Sequence, residues 1–252
     1  MFIERTSVGL DVHARSVVAA AIDGATGEVF QRRLAPVFAE IGAWIEQLPG
    51  PVAVAYEAGP TGFDLFRQLN AAGIRCVVVA PSRLQRPSGD RVKTDARDAM
   101  HLARLLRLDE VTAVAVPSLA QESARDLVRA REDCRGDLTR ARHRLSKLLL
   151  RYGLVYTAGA AWTQAHDAWL RKFALPQLEG AATRMAFDAA YETVLMVKAR
   201  REKLDAAIET MAADSEFTPI VRRLGCLRGI GTLTGLGLFN RLCKPSWKDR
   251  QH

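Results

Sequence analysis

Residues 6–34, TSVGLDVHARSVVAAAIDGATGEVFQRRL, decide the fold. Thr6 to Val12 is apolar and rich in strand-favouring residues, and Ser16 to Asp23 (SVVAAAID) is a second apolar run. Gly27 to Leu34 follows the turn-forming Asp23-Gly24-Ala25-Thr26. Three strand-length runs separated by short turns predict a meander. Asp11 stands out in the first, because aspartate is depleted from strands and this one interrupts an apolar segment.

Working outward, Ala39 to Leu48 reads as a helix. Pro51 to Tyr56 (PVAVAY) is a short apolar run ending at Glu57. Phe63 to Ala72 places Phe63, Phe66 and Leu69 on one helical face, and Ile74 to Ala80 (IRCVVVA) reads as a buried parallel strand. Another helix starts near Thr94. The order βββαβαβα predicts an α/β fold of ribonuclease H-like type, a mixed sheet with helices. Its expected extent is residues 1–112.

On this layout Asp11 lies on the first strand and Glu57 just past the carboxyl end of the fourth, where open α/β sheets place ligand-binding groups. Asp95 and Asp98, three apart, project from one face of the last helix. Converging carboxylates repel one another unless a cation sits among them, and hard oxygen donors select Mg2+ or Mn2+. Two such ions ~4 Å apart would serve phosphodiester chemistry. Taken singly the acids have plainer readings: Asp95 and Asp98 as complements to the helix dipole after an N-capping Thr94, and Glu57 as a turn acid before Gly59-Pro60. Order and placement together favour the metal centre.

The three segments GLDVHARSVVAAAID, AYEAGPTGFDLFRQL and VKTDARDAMHLARLLR closely resemble the amino-terminal domain of insertion-sequence transposases with an Asp-Glu-Asp-Asp tetrad. The resemblance implies a RuvC-type fold, related to that of Holliday-junction resolvases, in a DNA recombinase that moves a mobile element. In some members of the family it is guided by a structured RNA that pairs with donor and target DNA. Carried over by position, Asp11, Glu57, Asp95 and Asp98 are the implied metal-binding, catalytic tetrad. Arg222 to Leu238 (RRLGCLRGIGTLTGLGL) resembles the start of the family's carboxy-terminal transposase domain. There, Gly229-Ile230-Gly231-Thr232 has the pattern of a helix-hairpin-helix whose bare amides approach a DNA phosphate, or of a helix C-cap followed by a tight turn.

The family's carboxy-terminal domain supplies a serine nucleophile from a segment rich in Ser and Gly. After Leu238 the sequence FNRLCKPSWKDRQH departs from the family pattern, and nothing around Ser246 matches that segment. The expectation is a truncated transposase that keeps its acidic centre, with residues 219–252 an incomplete transposase domain. The alternative is a non-catalytic nucleic-acid-binding remnant.

A net charge of +8 favours a polyanionic partner. Arg83, Arg86, Arg91 and Lys93 precede the last acidic pair, and basic residues crowd the region from Arg125 to Arg151. Asp126, Glu132, Asp133 and Asp137 are interspersed in its first part as i to i+4 partners. From Arg140 through Arg142, Arg144 and Lys147 to Arg151 no acid appears, and that stretch reads as a DNA or guide-RNA contact. Pro117 to Leu150 reads as one long helix beginning near Ser118 and Ala181 to Met211 as another. They predict an antiparallel coiled-coil arm over 117–215 suited to pairing a homo-oligomer. Trp162, Trp169 and Phe173, at i, i+7 and i+11, read as a hydrophobic seal at its tip.

Other classes fit less well. An actin-like or sugar-kinase-like phosphotransferase also opens with a strand, an Asp and a meander, but expects a Gly/Thr-rich loop where His13-Ala14-Arg15-Ser16 stands. The four cysteines show no Cys-x-x-Cys spacing, which argues against a zinc site or disulfide framework and for a reduced, cytoplasmic protein. No apolar run approaches the ~18 residues of a membrane span, so no membrane partner is expected.

Overall fold

The first apolar run forms β1, Thr6–Val12, the central strand of a five-stranded sheet. A computed structural model of the chain describes residues 4–81 and 94–242 and divides it into two compact units, Met1–Val116 and Pro117–His252. In the first unit β2 (Val17–Asp23) and β3 (Val29–Leu34) complete the meander, pairing antiparallel in register Thr6↔Asp23 and Val17↔Leu34. The chain then crosses through α1 (Phe38–Ile45) to β4 (Val52–Glu57), and through α2 (Asp64–Ala71) to β5 (Arg75–Val79). Both new strands run parallel, giving the order β3-β2-β1-β4-β5. Helix α3, Asp95–Arg107, closes the unit. The mixed α/β sheet is consistent with a ribonuclease H-like core.

Alternation along the strands sorts the sheet into two faces. Val8, Leu10, Val17, Val54, Tyr56 and Val78 join Ile41, Trp44, Ile45 and Leu69 of α1 and α2 in one apolar cluster. The opposite face is lined with small side chains, Gly9 of β1 and Ala53 and Ala55 of β4, and it receives Leu102 and Leu106 of α3. A Cβ built on Gly9 would stand 2.0 Å from the Ala99 carbonyl oxygen and 2.6 Å from the Ala103 amide nitrogen. The missing side chain therefore sets how closely α3 lies on β1.

Asp23 ends β2 and is almost wholly buried, at 1% exposure. Arg5 donates to it twice, Nε to Oδ1 at 3.0 Å and Nη2 to Oδ2 at 2.7 Å, and the Ala25 amide donates to Oδ1 at 2.8 Å. The Arg5 hydrogen bonds, then the Ala25 amide, hold this carboxyl well below the usual carboxylate range. Its contribution is complete above the unfolded value near ~3.9 and is lost as pH falls toward the depressed folded value. Urea unfolding between pH 5 and about 2 is expected to show acid destabilisation that Asp23→Asn flattens. An unchanged acid slope in that variant would remove Asp23 from the account.

The second unit is helical. Ser118 caps α4, Leu119–Arg151, in a reciprocal capping box: its hydroxyl accepts from the Gln121 amide at 3.1 Å, and the Gln121 side chain accepts from the Ser118 amide at 3.1 Å. Helix α6, Ala181–Ala213, runs antiparallel beside it, as the contacts Arg131–Asp205, Cys134–Val197 and Tyr152–Thr183 require. Leu138, Leu145, Leu149, Phe187, Val194 and Val197 form their shared core. The connection holds α5, Gln164–Trp169, continued by a π-helical turn over Leu170–Ala174. Two short helices, α7 (Thr218–Gly225) and α8 (Thr232–Leu242), pack on the other end of the pair through Phe217, Val221, Leu236 and Phe239.

The expected aromatic seal needs correction. Trp162 has φ +69° and precedes α5, so the three aromatics do not share one helix. Trp162 and Trp169 are partly buried against the shared core, but Phe173 is 54% exposed, stacked on Trp169 at 5.9 Å. The rings of Tyr156, Trp162 and Trp169 instead surround the buried His166, whose Nδ1 accepts from the Trp162 amide at 3.1 Å. Burial pulls that imidazole below its ordinary value.

Candidate metal centre

Asp11 sits near the carboxyl end of β1, on the strand face that also carries Gly9 and meets α3. Pairing of Leu10 with Tyr56 sets Glu57 one step further along β4, beside Asp11 at the same end of the sheet. Thr94 caps α3, its hydroxyl accepting from the Arg97 amide at 3.4 Å, and this fixes Asp95 and Asp98 in the first turn. The close seating of α3 at Gly9 brings that turn over the end of β1.

The result is a tight group in which one ligand atom from each of Asp11, His13 and Asp95 lies within 4.8 Å of the others. His13 Nε2 hydrogen-bonds Asp11 Oδ2 at 3.1 Å and stands 3.9 Å from Asp95 Oδ1. Burial pushes the Asp11 carboxyl up from its usual value; Asp95 and Asp98 push it further, while His13 opposes the rise. A nearby cation would relieve both the desolvation and the repulsion. Two hard carboxylates and an imidazole suit a divalent metal ion, so the residues fit such a site. Glu57 and Asp98 lie outside the tight triplet. Glu57 lines a cleft of about 620 Å³ shared with Asp11 and His13, bounded by Pro36, Phe38, Thr61 and Gln68. Asp98 is felt by Asp11 through its charge.

His13 is the residue that the sequence reading of the centre left out. Its signal was present: two residues beyond Asp11, it falls on the same side of an extended strand end. The turn that aims it is closed by the His13 amide donating to the Ser16 carbonyl at 3.0 Å.

A transposase family model, that of the DEDD transposases of IS110 type, matches residues 8–154, a span that begins within β1 and contains the other four strands, all four acids and α4. The chain belongs to the IS110 family of transposases. Among its relatives, a Sinorhizobium fredii protein named as a transposase, y4qE, is 39% identical over 193 residues, covering 75% of this chain and 49% of that protein. The transposase for insertion sequence element IS1533 of Leptospira borgpetersenii is 30% identical over 238 residues, covering 92% of this chain and 68% of that protein. This IS110-family chain thus spans about half the length of the first relative.

The basic residues fall into three groups. Arg83, Arg86, Arg91 and Lys93 lie outside the described residues. In the first part of α4, Arg131 pairs with Asp205, Arg135 with Glu132 and Arg140 with Asp137. Arg144, Lys147 and Arg151 are exposed and follow Arg140 at helical intervals of four, three and four residues, so the four line one stripe. Among the described residues, no ion pair engages the last three. Gly229 and Gly231 lie in the turn between α7 and α8, where Gly229 takes φ +86°, and Thr232 opens α8. No helix among the described residues is long and apolar enough to cross a membrane.

Proposed function

We propose that the chain performs, or contributes to, divalent-metal-dependent cleavage and exchange of DNA strands for an insertion element. The observation that carries this reading is the convergence of Asp11, His13 and Asp95 at the carboxyl end of the sheet in a member of a transposase family. Asp11, Glu57, Asp95 and Asp98 would hold Mg2+ or Mn2+. When bound, such an ion supplies Lewis-acid stabilisation to charge developing on a phosphodiester. His13 orients the Asp11 carboxylate through its hydrogen bond, and the cleft beside Glu57 receives the strand to be cut.

The stripe Arg140, Arg144, Lys147 and Arg151 would neutralise phosphates of DNA and of a guide RNA, and Arg83, Arg86, Arg91 and Lys93 would add to it. The Gly229-to-Thr232 turn acts as a helix-hairpin-helix contact to a phosphate. The organisation follows these roles: a catalytic domain over 1–112, a coiled-coil arm over 117–215 and transposase-domain sequence over 219–252. Met185 and Met196, exposed and eleven residues apart on α6, give a second copy of the arm an apolar face to pack on. The working compartment is the cytoplasm.

Supercoiled plasmid carrying the element's ends, incubated with its flanking RNA and Mg2+, tests the proposal. Nicking or exchange by the chain, abolished by EDTA, supports it. Salt-sensitive binding with no cleavage under any metal would favour a non-catalytic, nucleic-acid-binding role instead.

A further inference from the structure

Arg142 on α4 and Arg201 on α6 form an arrangement that packing alone does not explain. Both are only partly exposed, and in each the Nε is shielded from solvent without a hydrogen-bond partner. The Arg142 guanidinium carbon lies 5.1 Å from the ring centroid of Trp162. Burial, and then the positive charge of Arg201, pull Arg142 below the ordinary guanidinium value. The charge of Arg201 thus disfavours that of Arg142.

The carboxylates nearby do not balance them. Asp205 Oδ2 stands 3.6 Å from Arg201 Nε, but Asp205 Oδ1 already accepts from Arg131 Nε at 2.7 Å. Glu132 approaches Arg131 at 3.8 Å and is engaged by Arg135. Among the described residues Arg142 has no carboxylate partner, and its guanidinium lies over Trp162. Arg131 and Arg201 therefore share one carboxylate, and the charge of Arg142 is left without one among the described residues.

We propose that Arg142 and Arg201 together hold a phosphate of a nucleic-acid strand, with Trp162 fixing the plane of the Arg142 guanidinium. A phosphate offers several acceptor oxygens to the planar forks of two arginines and cancels their repulsion. Trp162 supports a cation over its face whether or not an anion is present, so it preorganises the site. The placement is separate from the Arg140-to-Arg151 stripe, because two residues turn a helix by ~200° and set Arg142 on another flank of α4. The inference rests on the nucleic-acid reading above and adds a second anchoring point, on the side of α4 nearer α6.

The test uses the whole chain and its Arg142→Met, Arg201→Met and Arg142→Lys variants. The probes are sodium phosphate, a labelled single-stranded RNA and the DNA of the same sequence. Phosphate is expected to raise the melting temperature of the wild type and to have a much smaller effect on either Met variant. For RNA or DNA, each Met variant is expected to bind several-fold more weakly and to lower the log-log salt slope by about 1. Arg142→Lys should fall between, since it keeps the charge and loses the fork. Without ligand the Met variants are expected to melt no lower than the wild type, because each removes one of two repelling charges.

A lower melting temperature with an unchanged salt slope would reduce Arg142 to a packing contact on Trp162 and overturn the proposal. A phosphate effect without any change in the strand-binding slope would make the site one for free anions and also overturn it. Failure of the wild type to bind either strand would sink the nucleic-acid reading itself. Strand binding that the variants leave intact would sink this inference alone.

Discussion

Asp11→Asn is expected to lower Mg2+-dependent nicking by more than the ~10–100-fold that loss of a supporting contact costs a metal site, because it removes a charged donor itself. The substitution keeps size and shape, so folding should survive. Asp11 is held above its ordinary protonation range by burial and by Asp95 and Asp98, and the uncharged amide escapes both penalties. The variant is therefore expected to melt at or above the wild-type temperature without metal. Nicking at the wild-type rate would show that Asp11 does not serve the reaction. Loss of nicking together with unfolding would point to a structural role instead.

The second large effect is expected at a residue with no side chain. In Gly9→Val the new Cβ meets the Ala99 carbonyl oxygen at 2.0 Å and the Leu102 Cβ at 2.8 Å, and the obstruction is mostly helix backbone, which cannot rotate away. Helix α3 must lift from β1. Overpacking of this kind costs about 1–3 kcal/mol, and backbone contacts place this site at the upper end. Asp95 and Asp98 ride on the first turn of that helix, so metal affinity should fall along with stability although Gly9 donates no ligand. Gly9→Ala should show the same pair of effects on a smaller scale. Wild-type stability and metal affinity in both variants would show that α3 is not seated by this contact.

Much of this was legible in the chain. The bounds of β1 follow from the TSVGLDV run as read, and the starts of α3 and α4 follow from Thr94 and Ser118, whose short polar side chains satisfy the first-turn amides. The ends of elements were less legible. Helix α1 stops at Ile45 and passes into tighter turn bonds at Gln47 and Leu48, while β3 begins only after Gly27 has taken its left-handed turn.

What sequence could not supply are the long-range meetings. Asp23 reads as a turn residue, yet the chain buries it against Arg5. Gly9 reads as one more strand position until a helix more than eighty residues away presses on it. His13 looks like a polar strand end until Asp95 arrives from α3, and Arg142 feels the charge of Arg201 only because two long helices pack antiparallel. Local preference fixes elements, whereas these pairs depend on which faces come together.

The central claim is that carboxylates from a strand and a helix make one divalent-metal site, and Mn2+ binding followed by electron paramagnetic resonance tests it most directly. Titration of the wild type is expected to show tightly bound Mn2+, which excess Mg2+ displaces and which Asp11→Asn and Asp95→Asn each weaken severely. Equal Mn2+ binding by the wild type and both variants would contradict the account.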